Sequence, residues 1–218
     1  MTKAVVLNKT NSIANHFIAE IRDVAIQKDR IRFRRNLERI GEVMAYEISK
    51  NLSYKAKDIE TPLGHANENL IEDRIVLATI LRAGIPFHAG FLNVFDFADN
   101  AFVSAYRRHH RDGSFEIHTD YHSCPSLDGS VLVLADPMLA TGSSMEVALN
   151  SLLENGKPKE IHIATAIAST LGLGHIQRLF PEAHCWIGAL DEELTGKSYI
   201  VPGLGDAGDL AYGSKKQE

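Results

Sequence analysis

Two rhythms of apolar residues divide the chain. Over residues 11–52 they recur at helical spacing: Ile13, Phe17, Ile21 and Val24 share one face, and after a basic break at 28–35 the pattern resumes with Leu37, Ile40, Met44 and Ile48. Two helices are expected there, forming an appendage or an oligomer surface. Beyond residue 70 the apolar residues come instead in short runs, within 74–80, 131–134, 161–168 and 185–190. Runs of that length, rich in Val, Ile and Leu, are what strands buried on both faces of a parallel sheet require. Helical patterns at 145–155 and 173–180 alternate with them, and such alternation predicts parallel βαβ units.

A third pattern interrupts the second. Residues 101–106 and 115–121 alternate apolar with polar side chains, and Asp112-Gly113 between them is a hairpin signal. The connection carries Arg107, Arg108, His109, His110 and Arg111, so the ribbon is a candidate lid with a cationic tip. His118 and His122 would share a strand face, without the further ligands that a metal site needs. Residues 60–68, which include Thr61-Pro62-Leu63-Gly64, read as a loop. The expected fold class is α/β: a central, mostly parallel sheet flanked by helices, with an N-terminal helical segment and a protruding β-hairpin. Residues 1–218 are read as a single domain, with 1–60 as its helical part and 70–218 as its α/β core.

Composition narrows the setting. A chain of 218 residues with 44% hydrophobic content can bury one substantial core without splitting. A formal charge of -5 argues against nonspecific nucleic-acid binding. Cys124 and Cys185 show neither metal-type spacing nor a disulfide framework, which suits a reducing cytoplasm. The N-terminus lacks a hydrophobic signal core and no apolar run is long enough to span a bilayer, so no membrane partner is expected. The arginines Arg30, Arg32, Arg34, Arg35 and Arg39 read first as a solvated or salt-bridged face, and second as a phosphate-binding effector patch.

Candidate chemistry gathers where a strand meets a helix. After the run at 131–134 the chain reads Ala135, Asp136, Pro137, Met138, Leu139, Ala140, Thr141, Gly142, Ser143, Ser144. Asp136-Pro137 supplies a turn, and small hydroxyl residues then stand where a helix begins, so free backbone N–H groups and a dipole's positive end converge. That is an anion seat. It lacks the lysine of the ATP-type loop and suits a phosphate monoester. Asp136, at the strand's carboxyl end, can accept hydrogen bonds from vicinal sugar hydroxyls. A strand, turn and capped helix with no ligand is the plainer alternative. Arg82, with Gly84 two residues on, ends the run within 74–80, and its planar fork of donors suits a diphosphate. The segment at 199–209 holds Gly203, Gly205, Gly208, Asp206 and Asp209. It reads either as a loose tail or as bare backbone whose C=O and N–H groups face the edge of a flat heterocycle.

Taken together, TPLG at Thr61, ILRAG at Ile80, DPMLATGSS at Asp136 and YIVPGLGDAGD at Tyr199, with FRRNLERIGEVMAYE at Phe33, resemble the uracil phosphoribosyltransferases in the same order over nearly the whole chain. The resemblance implies the type I phosphoribosyltransferase fold. It implies conversion of uracil and 5-phosphoribosyl 1-pyrophosphate (PRPP) to UMP and pyrophosphate in pyrimidine salvage. It assigns Arg82 and Arg107 to the diphosphate, and Asp136, Pro137, Met138, Leu139, Ala140, Thr141, Gly142, Ser143 and Ser144 to the ribose 5-phosphate. Ile200, Gly205, Asp206 and Ala207 would hold uracil, with Asp206 reaching toward PRPP or its magnesium. Arg82, Arg107 and Asp206 are thus the catalytic candidates, magnesium arrives mainly through PRPP, and no protein metal site is expected. Some relatives respond to GTP, so GTP joins the expected partners, together with a homo-oligomer, dimer or larger.

The chain departs from the family pattern in places. Leu210 stands where an arginine is usual, Arg108, His109 and His110 stand where acidic residues are usual, and Ile85-Pro86-Phe87-His88 follows ILRAG. Two other readings stay open at this level: a PRPP- or nucleotide-sensing regulator on the same fold, and a transferase for another base.

Overall fold

The computed structural model describes residues 4–109 and 115–214, with side chains at 105–120 outside the description. The chain opens with a short strand, β1 (Ala4–Val6), and two helices, α1 (Ala14–Arg22) and α2 (Arg30–Ser49). A ribbon of β2 (Tyr54–Thr61) and β3 (Gly64–Ile71) follows. The core then runs β4 (Ile75–Leu81), α3 (Gly84–Val94), β5 (Asp99–His109), β6 (Phe115–Ser123), β7 (Val131–Ala135), β8 (Met138–Leu139), α4 (Ser143–Leu153), β9 (Glu160–Ser169), α5 (Thr170–Leu179) and β10 (His184–Asp191). Two short strands, β11 (Glu193–Leu194) and β12 (Ile200–Val201), and a last helix, α6 (Ala207–Tyr212), complete it.

The main sheet has the order β1-β10-β9-β7-β4-β5-β6. Every pairing along it is parallel except the antiparallel one between β5 and β6. The expected mostly parallel α/β sheet is therefore what the chain forms. Alternation along each central strand feeds two apolar layers. Ile75 and Leu77 of β4 join Val131 and Val133 of β7 and the helices α1, α2 and α3 on one face. Val76, Ala78, Leu132 and Leu134 join α4 and α5 on the other. Burial on both faces explains why these strands carry unbroken apolar runs.

Three expectations need correction. The N-terminal part is not wholly helical, since β1 pairs with β10 at the edge of the main sheet, Val5 opposite Trp186. Residues 60–68 are not a loop: β2 and β3 pair antiparallel from Tyr54↔Ile71 to Thr61↔Gly64. Their composition is polar on both faces and nearly every position is exposed, so no alternation marked them as strands. The first helical face is also shifted, with Ile13 and Val24 59% and 73% exposed while Ala14, Ile18 and Ile21 are buried. The helix stops at Asp23, whose carboxylate accepts from Ala25 N at 2.8 Å and diverts the chain into a turn. The second face is as read, with Leu37, Ile40, Met44 and Ile48 all fully buried.

The β5–β6 ribbon extends a little beyond the expected arms and shifts register between Ser104 and Ala105. Its Asp112-Gly113 turn, with His110 and Arg111, lies outside the described residues.

Candidate active site

The sheet reverses its winding between β4 and β7. From β4 the chain crosses through α3 to β5 on one side, and from β7 it crosses through α4 to β9 on the other. A crevice opens at the carboxyl ends of the two strands at such a switch point, and ligands of open α/β sheets bind there. Arg82 directly follows β4 and Asp136 directly follows β7, with Thr79 level with Ala135. The Thr79 hydroxyl donates to the Ala135 carbonyl at 2.8 Å, tying the two strand ends together. Gly84 turns across this junction, where an added Cβ would stand 3.2 Å from the Ala135 oxygen and still nearer the Thr79 hydroxyl. The absent side chain lets the Arg82 turn lie against β7.

The loop after β7 is built to hold an anion. Asp136 N donates to the Ala164 carbonyl at 3.0 Å and Ile167 N to the Pro137 carbonyl at 2.9 Å. Met138 and Leu139 then form β8, paired with Ile167 and Ala168. Ser169, the N-cap of α5, donates from its hydroxyl to the Ala140 carbonyl at 2.5 Å and accepts from Gly172 N at 2.9 Å. The loop is thus pinned from behind along its length. Gly142 takes φ 89° as the residue before α4, a left-handed value that favours glycine. Gly142 has no side chain to cap that helix start; Ser143 N donates to the Thr141 hydroxyl at 3.4 Å, and the Thr141 and Ser143 hydroxyls lie 3.1 Å apart beside it. Backbone N–H groups, two hydroxyls and the dipole's positive end gather there, an arrangement that can accept an anion.

Asp136 stands half-buried directly after the carboxyl end of β7. Among the described residues its carboxylate makes no hydrogen bond or ion pair, and loss of hydration pushes it up to about 7. A ligand bringing hydroxyl donors would supply what the protein withholds.

The glycine-rich segment is anchored at the same sheet edge. Asp191, ending β10, receives both arms of Arg22 at 2.8 Å and Gly203 N at 2.9 Å, and Arg22 also donates to the Gly203 carbonyl at 3.0 Å. Ile200, Leu204 and Ala207 enter the apolar layer against which Met138 and Ala140 of the phosphate loop also pack. A Cβ built on Gly208 would stand 3.9 Å from Arg82 Nη2 and 4.0 Å from Ala83 Cβ, so the end of the segment lies beside the turn after β4. Gly205, at φ 96°, has open space where a side chain would be. Asp206 caps α6, accepting from Asp209 N at 2.9 Å. Arg82 Nη2 lies 3.8 Å from Asp209 Oδ1, a buried oxygen with no hydrogen-bond partner.

Of the predicted residues, the structure brings Arg82, Asp206, the 136–144 loop and the Ile200–Ala207 region to the carboxyl edge of the sheet. Arg107 lies on β5, three residues beyond Ser104, which pairs with Leu81 at the same edge. Its side chain is outside the described residues. The arginine run is largely engaged within the protein. Arg32 pairs with Glu20 at 2.6 Å, Arg35 pairs with Glu38 at 2.5 Å, Arg34 donates to the Ala211 carbonyl at 2.6 Å and Arg39 sits over the Phe17 ring. No group of three or more His, Cys, Asp or Glu among the described residues could hold a metal. His122 instead meets Asn155 at 3.1 Å. Sequence reading passed over Thr79, Ser169, Arg22 and Asp191. Ser169 was findable, since a serine between a buried strand and a helix is a cap signal. The Arg22–Asp191 pair, 169 residues apart, left no local trace.

Comparison with known proteins decides the family. The family model described as uracil phosphoribosyltransferase matches residues 8–214. The chain belongs to the uracil phosphoribosyltransferase family. A curated uracil phosphoribosyltransferase of Porphyromonas gingivalis is 55% identical over 210 residues, spanning 96% of this chain and 97% of that protein. One from Thermococcus gammatolerans is 39% identical over 201 residues, spanning 90% of this chain and 88% of that protein. The solved structure of the AQ2163 protein from Aquifex aeolicus superposes with a TM-score of 0.86 at 34% identity, covering 96% of this chain and 98% of that one. Leu210, on α6, packs partly buried against the apolar layer. No helix among the described residues is long and apolar enough to cross a membrane.

Proposed function

We propose that this chain transfers the phosphoribosyl group of PRPP to uracil, giving UMP and pyrophosphate in pyrimidine salvage in the cytoplasm. The observation that carries the reading is the convergence of a glycine-led helix start, an aspartate without a partner among the described residues and a glycine-rich segment at one switch point, in a chain of this family. The 136–144 loop seats the ribose 5-phosphate, and Asp136 accepts from the ribose hydroxyls. Backbone groups near Ile200 and Gly205 to Ala207 meet the edge of the pyrimidine ring. Breaking the bond between C1 and the diphosphate leaves positive charge on the ribose and negative charge on the departing pyrophosphate. Arg82, joined by Arg107, offsets the latter, while a base held over C1 supplies orientation. No side-chain nucleophile is needed.

Magnesium fits as an ion carried by PRPP, because the described residues offer separate carboxylates at Asp136, Asp206 and Asp209 rather than a cage. When bound it adds positive charge beside the diphosphate. A homo-oligomer is supported by the β2–β3 ribbon, since a two-stranded hairpin exposed on both faces is marginal alone. For a GTP effector the candidate contact is Arg30, the first residue of α2.

The test is PRPP-dependent turnover with uracil, cytosine, xanthine, hypoxanthine and orotate in the presence of magnesium. UMP formation from uracil alone is expected. Silence across the panel with PRPP still bound would overturn the reading and favour a PRPP-sensing regulator.

A further inference from the structure

Behind the phosphate loop stands a cluster that none of the roles above uses. His175, on α5, faces the first turn of α4. Its Nε2 is 2.7 Å from Glu146 Oε2, and its Nδ1 is 3.1 Å from Arg178 Nη2. A guanidinium can only donate, so Nδ1 must accept, and the ring proton must sit on Nε2 and point at Glu146. The tautomer is dictated by the neighbours. The ring also backs onto Gly142: a Cβ built there would stand 2.8 Å from His175 Cδ2 and 3.3 Å from its Cβ. The imidazole therefore fills the space directly behind the residue whose left-handed turn opens the helix start.

Glu146 gives this contact an electrostatic meaning. It lies in the first turn of α4, where a carboxylate is favourable to the helix but opposes a second anion at the same dipole end. The His175 N–H draws that carboxylate away toward α5, and Arg178, donating to the far side of the ring, places positive charge behind it. One side chain thus supports the glycine turn and screens the anion seat.

We propose that His175 is a positioning residue for the phosphate loop, holding Gly142 and neutralising the influence of Glu146 so that the helix start accepts the 5-phosphate of PRPP. This rests on the reading that the 136–144 loop seats that phosphate. His175 touches no reacting atom, so its effect falls on PRPP affinity rather than on the chemical step.

The experiment is steady-state kinetics of the full chain with PRPP and uracil varied separately, for Thr141→Ala, His175→Ala, His175→Gln and the double variant Glu146→Gln/His175→Ala. Loss of a hydrogen bond to a charged group is expected to raise the KM for PRPP about tenfold in His175→Ala. Its kcat and uracil KM should stay within about twofold of the parent. His175→Gln keeps an N–H within reach of Glu146 and should restore most of the affinity. The double variant, with no carboxylate to screen, should be less impaired than His175→Ala. If Thr141→Ala raises the PRPP KM and His175→Ala does not, the role of His175 is overturned while the loop reading stands. If Thr141→Ala has no effect either, the loop reading itself fails and the proposal falls with it. An equal rise in uracil KM in His175→Ala, accompanied by a lower melting temperature, would mark His175 as a merely structural residue and also overturn the proposal.

Discussion

Asp136→Asn separates what the site costs the fold from what it gives the substrate. The substitution preserves shape and removes the charge. In the folded chain the Asp136 carboxyl is raised from 3.8 to about 7 by burial. The folded state therefore holds its proton more tightly than the unfolded chain does, and stability falls as pH rises from about 4 to about 7. An interval of that size corresponds to about 4 kcal/mol at most, of which about 2.5 kcal/mol is lost between pH 5 and pH 8. Asparagine has no proton to lose, so the stability of the variant relative to the parent should climb by about 2.5 kcal/mol over that range. Urea denaturation of both proteins at pH 5, 6, 7 and 8, at one protein concentration, reads this directly. PRPP should reverse the order: ribose hydroxyls donating to ionised Asp136 repay its lost hydration, so added PRPP should stabilise the parent more than Asp136→Asn, and increasingly so toward pH 8. Parallel stability profiles for the two proteins would refute the claim that Asp136 is a poorly hydrated, half-buried carboxylate. Equal stabilisation by PRPP would remove it from the ribose site.

Three further perturbations probe the supports of the site. Gly142→Ala places a Cβ at φ 89° against the His175 ring, costing about 1–2 kcal/mol of stability and raising the PRPP KM more than the uracil KM; thermal melts and kinetics check both, and a uracil-only effect would contradict the loop assignment. Asp191→Ala removes the carboxylate that Arg22 and Gly203 N share, leaving Arg22 only the Gly203 carbonyl, with an expected loss of about 3 kcal/mol and faster proteolysis near residues 199–209; unchanged cleavage would show the segment is held elsewhere. His162, fully buried with its Nδ1 accepting from Trp186 at 3.0 Å, is pushed down to about 4 by burial. Its contribution is complete above its ordinary value of 6.5 and is lost as pH falls toward 4, about 3 kcal/mol in all. His162→Gln should flatten that acid limb in urea titrations, and an unchanged limb would count against it.

Legibility in the sequence followed how each element is stabilised. Strands β4, β7, β9 and β10 could be read because burial on both faces forces continuous apolar runs, and α2 because its stripe of Leu37, Ile40, Met44 and Ile48 is complete. The β2–β3 ribbon could not, since residues such as Lys55, Asp58 and Glu68 face solvent and leave no burial pattern. The site divides in the same way. Arg82, Asp136 and Thr141 to Ser144 stand next to strand ends and a helix start, so local pattern placed them. The residues that hold them in place act across the fold: Ser169 on the Ala140 carbonyl, Arg22 on Asp191 and Gly203, His175 on Gly142 and Glu146. None of these pairs is close in sequence, and each becomes visible only once the βαβ crossovers set α5, β10 and α1 around the same edge. A candidate anion loop can therefore be recognised from a dozen consecutive residues, while its rigidity is distributed over contacts that no local window contains. Substitutions at Ser169, Arg22 or His175 should accordingly alter substrate affinity without altering any residue that local sequence marks as part of the site.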